Sequence, residues 1–528
     1  MSTYQGSRGS RRPVRRSRWL LAGGLVAGSL VAGAAGLTAV TASAADRDPA
    51  APHPGQPAAM LQTDVPGIDE TPQRGGADRQ RPEWRHDPDA GRDPGDRPDA
   101  ADAPGRSAGH HGRPPQRTAV PVPCDSARLI AALVRANAEG GATLRLAEKC
   151  TYTLTDAFQQ PDEYDGGIRD AREAADAAEN PGDAEAPPRN PADDTAGLPV
   201  IYHGITIEGA GATIVRSVDA ADFRFFTVRD GGELTLRDVT LRNGRSAAEG
   251  GSIHVVHGAT AVVEGVTVVG STSLSAEGGG GAIFNDGNLR ISDSRLIGNR
   301  AAGAEGKGGG LLNGGVMTMH RTEFRHNSAV SYGGGLANFR AAGDVYSSTF
   351  VRNNAAKGGG LASFSARTKV FDTLVAHNSA EVGGGLANSD AVLVLRQLTV
   401  RDNVATTSGG GISTFQGLVP LDDSVISGNT TRGNGGGIHA EKSNLLVRAS
   451  DVEGNDAVGK RSQGAGLFVT AGSTSLYKSR VVGNQSTGKA GGIQAERAQV
   501  KIDDESVVIE NNPTNCAGSK VPVAHCFR

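Results

Sequence analysis

The chain has 528 residues, 75 of them glycine, with only 4% aromatic residues and a net charge of −3. That much glycine with so little aromatic bulk excludes an ordinary layered core and points to a turn-rich repeat. The total charge excludes the strongly basic footprint of a nucleic-acid binder, but its spread is uneven: about +6 over residues 1–45, about −3 over 46–118 and about −9 over 156–197.

Residues 1–45 read as a signal peptide. Arg11, Arg12, Arg15, Arg16 and Arg18 form a cationic start, Leu20 to Val40 an apolar stretch, and Ala42-Ser43-Ala44 a small-residue cleavage site. An uncleaved anchor is the competing reading, and Arg15-Arg16 fits twin-arginine export only loosely. Residues 46–118, rich in Pro, Asp, Arg, Gly and Ala, have the composition of a disordered linker. Order is expected from Cys124. Asp125 is placed to cap a helix carrying Leu129, Ile130, Leu133, Val134 and Asn137, which Gly140-Gly141 ends. Such a helix would close the first coil of a solenoid, whose apolar end is otherwise bare.

Strands are expected at Thr143 to Leu146 and Thr151 to Leu154, followed by an acidic, proline-containing surface insertion over 156–197. Part of it, Ile168 to Glu179, has a helical pattern. Strand pattern resumes at Val200-Ile201, Ile205 to Ile207, Ala212 to Val215, Phe225 to Val228 and Leu234 to Leu241. A repeat of about 26 residues then becomes plain. Its first marker is a glycine run before Leu or Ile, as in Gly308-Gly309-Gly310-Leu311. The second is an apolar residue three before an Asn, from Leu296/Asn299 through Val508/Asn511. The third is Ser or Thr five before that Asn, with Leu398 the exception.

Parallel stacking puts like residues over like, so Asn and Ser/Thr would form ladders bonded to their counterparts or to turn amides. Alternation such as Leu289-Arg290-Ile291 sends apolar side chains inward. Glycine triplets exclude helical repeats, and the units are too short for propeller blades. The fold expected over 119–528 is therefore an all-β solenoid: a right-handed parallel β-helix with an N-terminal capping helix and a C-terminal cap at 505–528. Counting back to Val200 predicts eleven or twelve coils. Four cysteines allow three connectivities; the local pairs Cys124-Cys150 and Cys516-Cys526 are expected, because the ends of a long rod cannot meet. They suit an oxidising compartment, hence a secreted, extracellular chain.

Gly280-Gly281-Ala282-Ile283, with Phe324-Arg325-His326-Asn327 and Phe350-Val351-Arg352-Asn353, resembles the GGA[ILV] and FxxN repeats of chlamydial polymorphic membrane proteins. The stretch from Cys124 through Leu154, then Ile205 to Gly209 and Leu234 to Arg237, is similar to secreted β-helix proteins of actinobacteria. The resemblance spans about residues 120–528. It implies the fold and suggests adhesion; the membrane barrel of the chlamydial proteins has no counterpart before Arg528.

Three constellations are candidates for function. Asp422-Asp423 and Asp503-Asp504 are carboxylate pairs of the kind glycoside hydrolysis uses, but strand neighbours point to opposite faces, so turn roles are expected. Arg325, His326, Arg352, His377 and Arg401, one or two residues before the ladder Asn, would form a basic stripe for an anionic polysaccharide. Phe339, Phe364 and Phe415, four residues after a glycine triplet, would form an internal aromatic stack or sugar platforms. No metal site is expected, since no Cys/His cluster has ligand spacing. The expected function is a non-catalytic extracellular adhesion or polysaccharide-binding module, monomeric, without cofactor, nucleic acid or stable membrane insertion. The alternative is a polysaccharide lyase or glycoside hydrolase acting on an acidic polymer.

Overall fold

The computed structural model describes residues 118–159 and 195–527. The expected signal peptide, nearly all of the linker and most of the 156–197 insertion lie outside the described residues. Within them the chain is a parallel β-helix. One coil shows its anatomy: strands Ile283–Asn285, Asn288–Ser292, Arg295–Ile297 and Arg300–Ala301 follow in order. Each pairs in parallel with its equivalent one coil on, Leu311–Asn313, Val316–His320, Glu323–Arg325 and Ser328–Ala329. We call these four stacks rows 1 to 4.

Row 2 is the longest, with fourteen strands in unbroken register from Val120–Val122 to Ile493–Ile502. This exceeds the eleven or twelve coils counted from Val200, because Val120–Val122 and Ala142–Leu146 stack ahead of that point.

Left-handed residues turn the corners. Between rows 2 and 3 they include Asp293, Arg321 and Ser347; between rows 3 and 4, His326, Arg352 and His377. The turn from row 4 into row 1 takes glycine. The first of each triplet has φ near +65°, as at Gly333 (+64°), and a Cβ there would lie 2.2 Å from Leu336 O. The second crowds the next coil: a Cβ on Gly384 would lie 2.4 Å from Gly410 O. Backbone meeting backbone leaves no side chain to yield, which explains a run of glycines rather than one.

The asparagine expectation holds in detail. Asn299, Asn327, Asn353, Asn378, Asn403, Asn429, Asn455, Asn484 and Asn511 are buried in one column. Asn403 is typical. Its Nδ2 donates to Asn429 Oδ1 (2.9 Å) and Val375 O (2.9 Å), while its Oδ1 accepts from Asn378 N (2.9 Å) and Nδ2 (3.0 Å). The column ends on Asn515, whose Oδ1 receives Asn511 N and Nδ2. The Ser/Thr column bonds to amides instead of its counterparts. Ser424 N donates to Ser450 Oγ (3.0 Å), and Ser424 Oγ donates to Asp422 O (2.6 Å). Leu398 donates its own N–H to Ser424 Oγ but offers no oxygen to the coil before it.

The interior also holds a second polar column that the repeat markers did not announce. Asn285, Asn313 and Asn338 are chained through 2.7 and 2.8 Å bonds, and Asn338 then donates to Thr368 Oγ1. Apolar side chains fill the rest, including the stacked pair Phe324 and Phe350, fully buried with centroids 4.8 Å apart.

Both ends are closed. Helix α1, Ser126–Ala138, starts at Asp125, whose carboxylate accepts Arg128 N, and buries Leu129 and Leu133 against the first coils. Cys124–Cys150 staples it, and Cys516–Cys526 staples the far end, with Cα separations of 5.6 and 6.2 Å. Both local pairings are as expected.

Asn403→Ala removes the acceptor for Asn378 N and the donor to Val375 O inside the buried core. Urea denaturation of this variant is expected to show a loss of about 2 kcal/mol or more. The exposed Asn354→Ala should stay within about 0.5 kcal/mol of wild type.

Candidate functional site

In a solenoid, equivalent outward positions form columns at the coil spacing, so every candidate site is a column or a boundary between two. The basic stripe divides between two. Arg325 and Arg401 belong to row 3, where Arg325, Val351, Ala376 and Arg401 follow in register. His326, Arg352 and His377 occupy the neighbouring left-handed corner with φ of +54°, +55° and +55°. In the coil before, that corner is Gly298, the low-strain choice; in the coil after His377 it is Asp402 (φ +55°), and Gly428 follows one coil further on. All five side chains are exposed. Arg325 Nε lies 2.6 Å from Glu323, Arg401 Nη1 lies 2.5 Å from Asp402, and His377 Nε2 is 3.8 Å from the same carboxylate. Arg352 and His326 make no ion pair among the described residues. The stripe therefore exists as two adjacent columns, partly neutralised, with Arg352 its free cation among the described residues.

The carboxylate pairs do not converge. Arg448 holds Asp422 through Nε and Nη2, both at 2.6 Å, and Arg396 lies 3.4 Å from Asp423. Asp503 caps a turn: bonds from Ser506 Oγ, then Lys478 N–H, hold its carboxyl below the ordinary range. Asp504 faces His525 at 3.0 Å. Three coil steps separate the pairs, about 14 Å at strand spacing, beyond the roughly 5–9.5 Å that glycosidases use. Among the described residues no group of three or more His, Cys, Asp or Glu is placed to hold a metal.

The aromatic candidates lie outside the barrel of coils. Phe339 and Phe364 stack with centroids 4.8 Å apart and planes at 8°, on the outer side of row 1. Row 1 alternates Leu336 in, Ala337 out, Asn338 in, so Phe339 must face out. Tyr332 leans edge-on against Phe364, and Lys307 Nζ and the Arg340 guanidinium sit over Phe339 at 5.4 and 5.5 Å. Phe415 stands two coils beyond Phe364, with Lys442 Nζ 5.1 Å from its ring centre. The internal stack is Phe324–Phe350 instead; its marker was the apolar residue three before Asn. Alongside, the corner between rows 1 and 2 carries an open trough of about 540 Å³, lined by Ser365, Asp390, Gln416, Lys442, Val392 and Leu418 among others.

Residues 423–441 match the Chlamydia polymorphic membrane protein (Chlamydia_PMP) repeat. That segment contains Ser424, Ile426, Asn429, Gly435 to Gly437 and Ile438, so it contains one full set of stacking devices. The match supports a repeat β-helix protein. No curated protein matches the chain. No helix of the described residues is long and apolar enough to cross a membrane.

Farther along row 1, His439 stacks on Phe468 with planes at 7°, and burial holds its imidazole down at about 4 from an ordinary 6.5. His254, deeply enclosed and facing Arg224 and Arg229, is also held well below 6.5 by burial. A depressed histidine stabilises the fold fully above the unfolded value and loses that contribution as pH falls toward the folded one. Stability to urea is expected to drop by roughly 2 kcal/mol for His439 alone between pH 7 and pH 5. His439→Phe, which keeps the stack, should shrink that loss.

Proposed function

We propose that this chain is a secreted, extracellular, non-catalytic repeat rod of adhesin type that binds a surface glycan or similar polymer along its coils. The observation that supports this most is register. Outward residues 25 or 26 positions apart stand one strand spacing apart, so a linear polymer lying along the coils meets side chains at a fixed repeat distance. The two disulfides suit an oxidising compartment. The repeat shared with chlamydial polymorphic membrane proteins fits a surface location. Of the carboxylates that would serve a lyase or hydrolase, Asp422 and Asp423 are tied to arginines of neighbouring coils and Asp503 caps a turn.

For an anionic polymer the proposed contact is the pair of columns holding Arg325, His326, Arg352, His377 and Arg401. Placing His326, Arg352 and His377 at left-handed corners, where the preceding coil uses Gly298, carries a strain that a functional side chain would justify.

The test is retention of the full chain on arrayed glycans and cell-wall polymers, run beside an assay for unsaturated uronides. Retention at low salt that weakens about tenfold in the Arg325→Ala, Arg352→Ala, Arg401→Ala triple variant is expected. Arg352→Ala alone should account for the largest share, since its charge has no carboxylate partner among the described residues. Retention on no polymer would sink the reading, and release of unsaturated uronides would replace it with a lyase.

A further inference from the structure

The outer column of row 1 reads Phe339, Phe364, Ser389, Phe415, in register coil by coil. It is an aromatic ladder with one rung missing. Phe339 covers one face of Phe364. Glu441, carried by the coil beyond Phe415, is followed by Lys442, whose ammonium covers a face of Phe415. Between Phe364 and Phe415 the same outer position is held by Ser389, a half-buried small residue.

Two coil steps set those rings about 9.6 Å apart. A six-membered ring inserted midway would lie about 4.8 Å from each, within the roughly 4.5–7 Å range of stacked rings and matching the Phe339–Phe364 spacing. Val382 borders the gap, at the row 4 position that Tyr332 and Lys357 hold in the two preceding coils.

The open trough of about 540 Å³ runs beside this column. Its lip is formed by the residues that follow each rung: Ser365 after Phe364, Asp390 after Ser389, Gln416 after Phe415 and Lys442 after Glu441. Its floor includes Val392 and Leu418, which are 39% and 47% exposed. An apolar slot with a hydroxyl at its base, beside a groove lined by a carboxylate, an amide, an ammonium and exposed aliphatic carbons, has the chemistry that holds a sugar. C–H faces pack on rings and aliphatic surface, and hydroxyls exchange hydrogen bonds with Asp390, Gln416 and Ser389. The lip carries one carboxylate, Asp390, and one ammonium, Lys442, so it has no net positive charge to favour an acidic sugar.

We propose that Phe364, Ser389 and Phe415 clamp one pyranose ring of a neutral glycan whose neighbouring units run along the trough past Asp390 and Gln416. The site is separate from the basic columns, though it rests on the reading of the rod as a glycan binder.

Filling the missing rung is the decisive test. Ser389→Phe completes the stack, and is expected to leave the melting temperature unchanged or raised while closing the slot. The full chain is titrated with cello-, manno- and N-acetylchito-oligosaccharides by calorimetry and saturation-transfer NMR. Binding of at least one, weakened at least tenfold in both Ser389→Phe and Phe415→Ala, is the expected result. Equal binding by wild type and Ser389→Phe would overturn the slot, as would binding of none of the three. Should N-acetyltyrosinamide be captured by wild type and lost in Ser389→Phe while no sugar binds, the slot takes an aromatic side chain of a protein, and the sugar assignment falls. Retention on anionic polymers with no oligosaccharide binding removes the slot and leaves the binding rod intact.

Discussion

The hydrogen-bonded asparagine column carries the register on which the rest of this β-helix depends. Parallel strands alone are tolerant of slippage, because backbone bonds are the same in any register. A buried carboxamide is not tolerant. Asn403 bonds Asn378 N and Nδ2 in the coil before it and makes two bonds to Asn429 Oδ1 in the coil after, all in the buried interior. A slip by one residue would strand those groups at a cost of about 1–3 kcal/mol each. Repeated from Asn299 to Asn511 and closed by Asn515, the column ties the coils to one alignment.

Once register is held, surface chemistry becomes one-dimensional. Arg448 reaches Asp422, Arg321 reaches Asp293 and Lys369 reaches Asp344, each across a single coil step. These exposed pairs add little stability individually. Their importance lies in what they remove from the surface, since a carboxylate embraced by an arginine from the next coil is a poor acid or base. Arg352 at its corner and Asp390 in the trough beside the aromatic column are among the charged groups without an ion pair among the described residues, where a ligand would find unspent polar groups.

Much of this was legible in the residues, for reasons that can be named. An Asn three after an apolar residue, with Ser or Thr five before it, recurs because the chemistry of the corner admits few substitutes. Glycine triplets recur because backbone meets backbone at the turn into row 1. The helix at Ser126–Ala138 was legible from Asp125 and its apolar spacing, and the disulfides from the distance between the ends. The interior Asn285–Asn313–Asn338 column was not, because it spans too few coils to stand out as a repeat. Phe339 and Phe364 misled in the opposite sense: an apolar side chain suggests burial, but strand alternation from Leu336 sends it outward.

The sequence by itself determined the coil, its corners, its ladders and its end caps, because each follows from local spacing and from the demand that like residues stack. Only the tertiary structure decided which outward residues are neighbours. Arg325 meets Glu323 within its own strand, whereas Asp422 meets Arg448 26 residues away. Along the asparagine column the coil length varies from 25 to 29 residues, so counting along the chain does not say which side chains share a column. The gap between Phe364 and Phe415 exists only in that third dimension, where one serine stands in line with three rings.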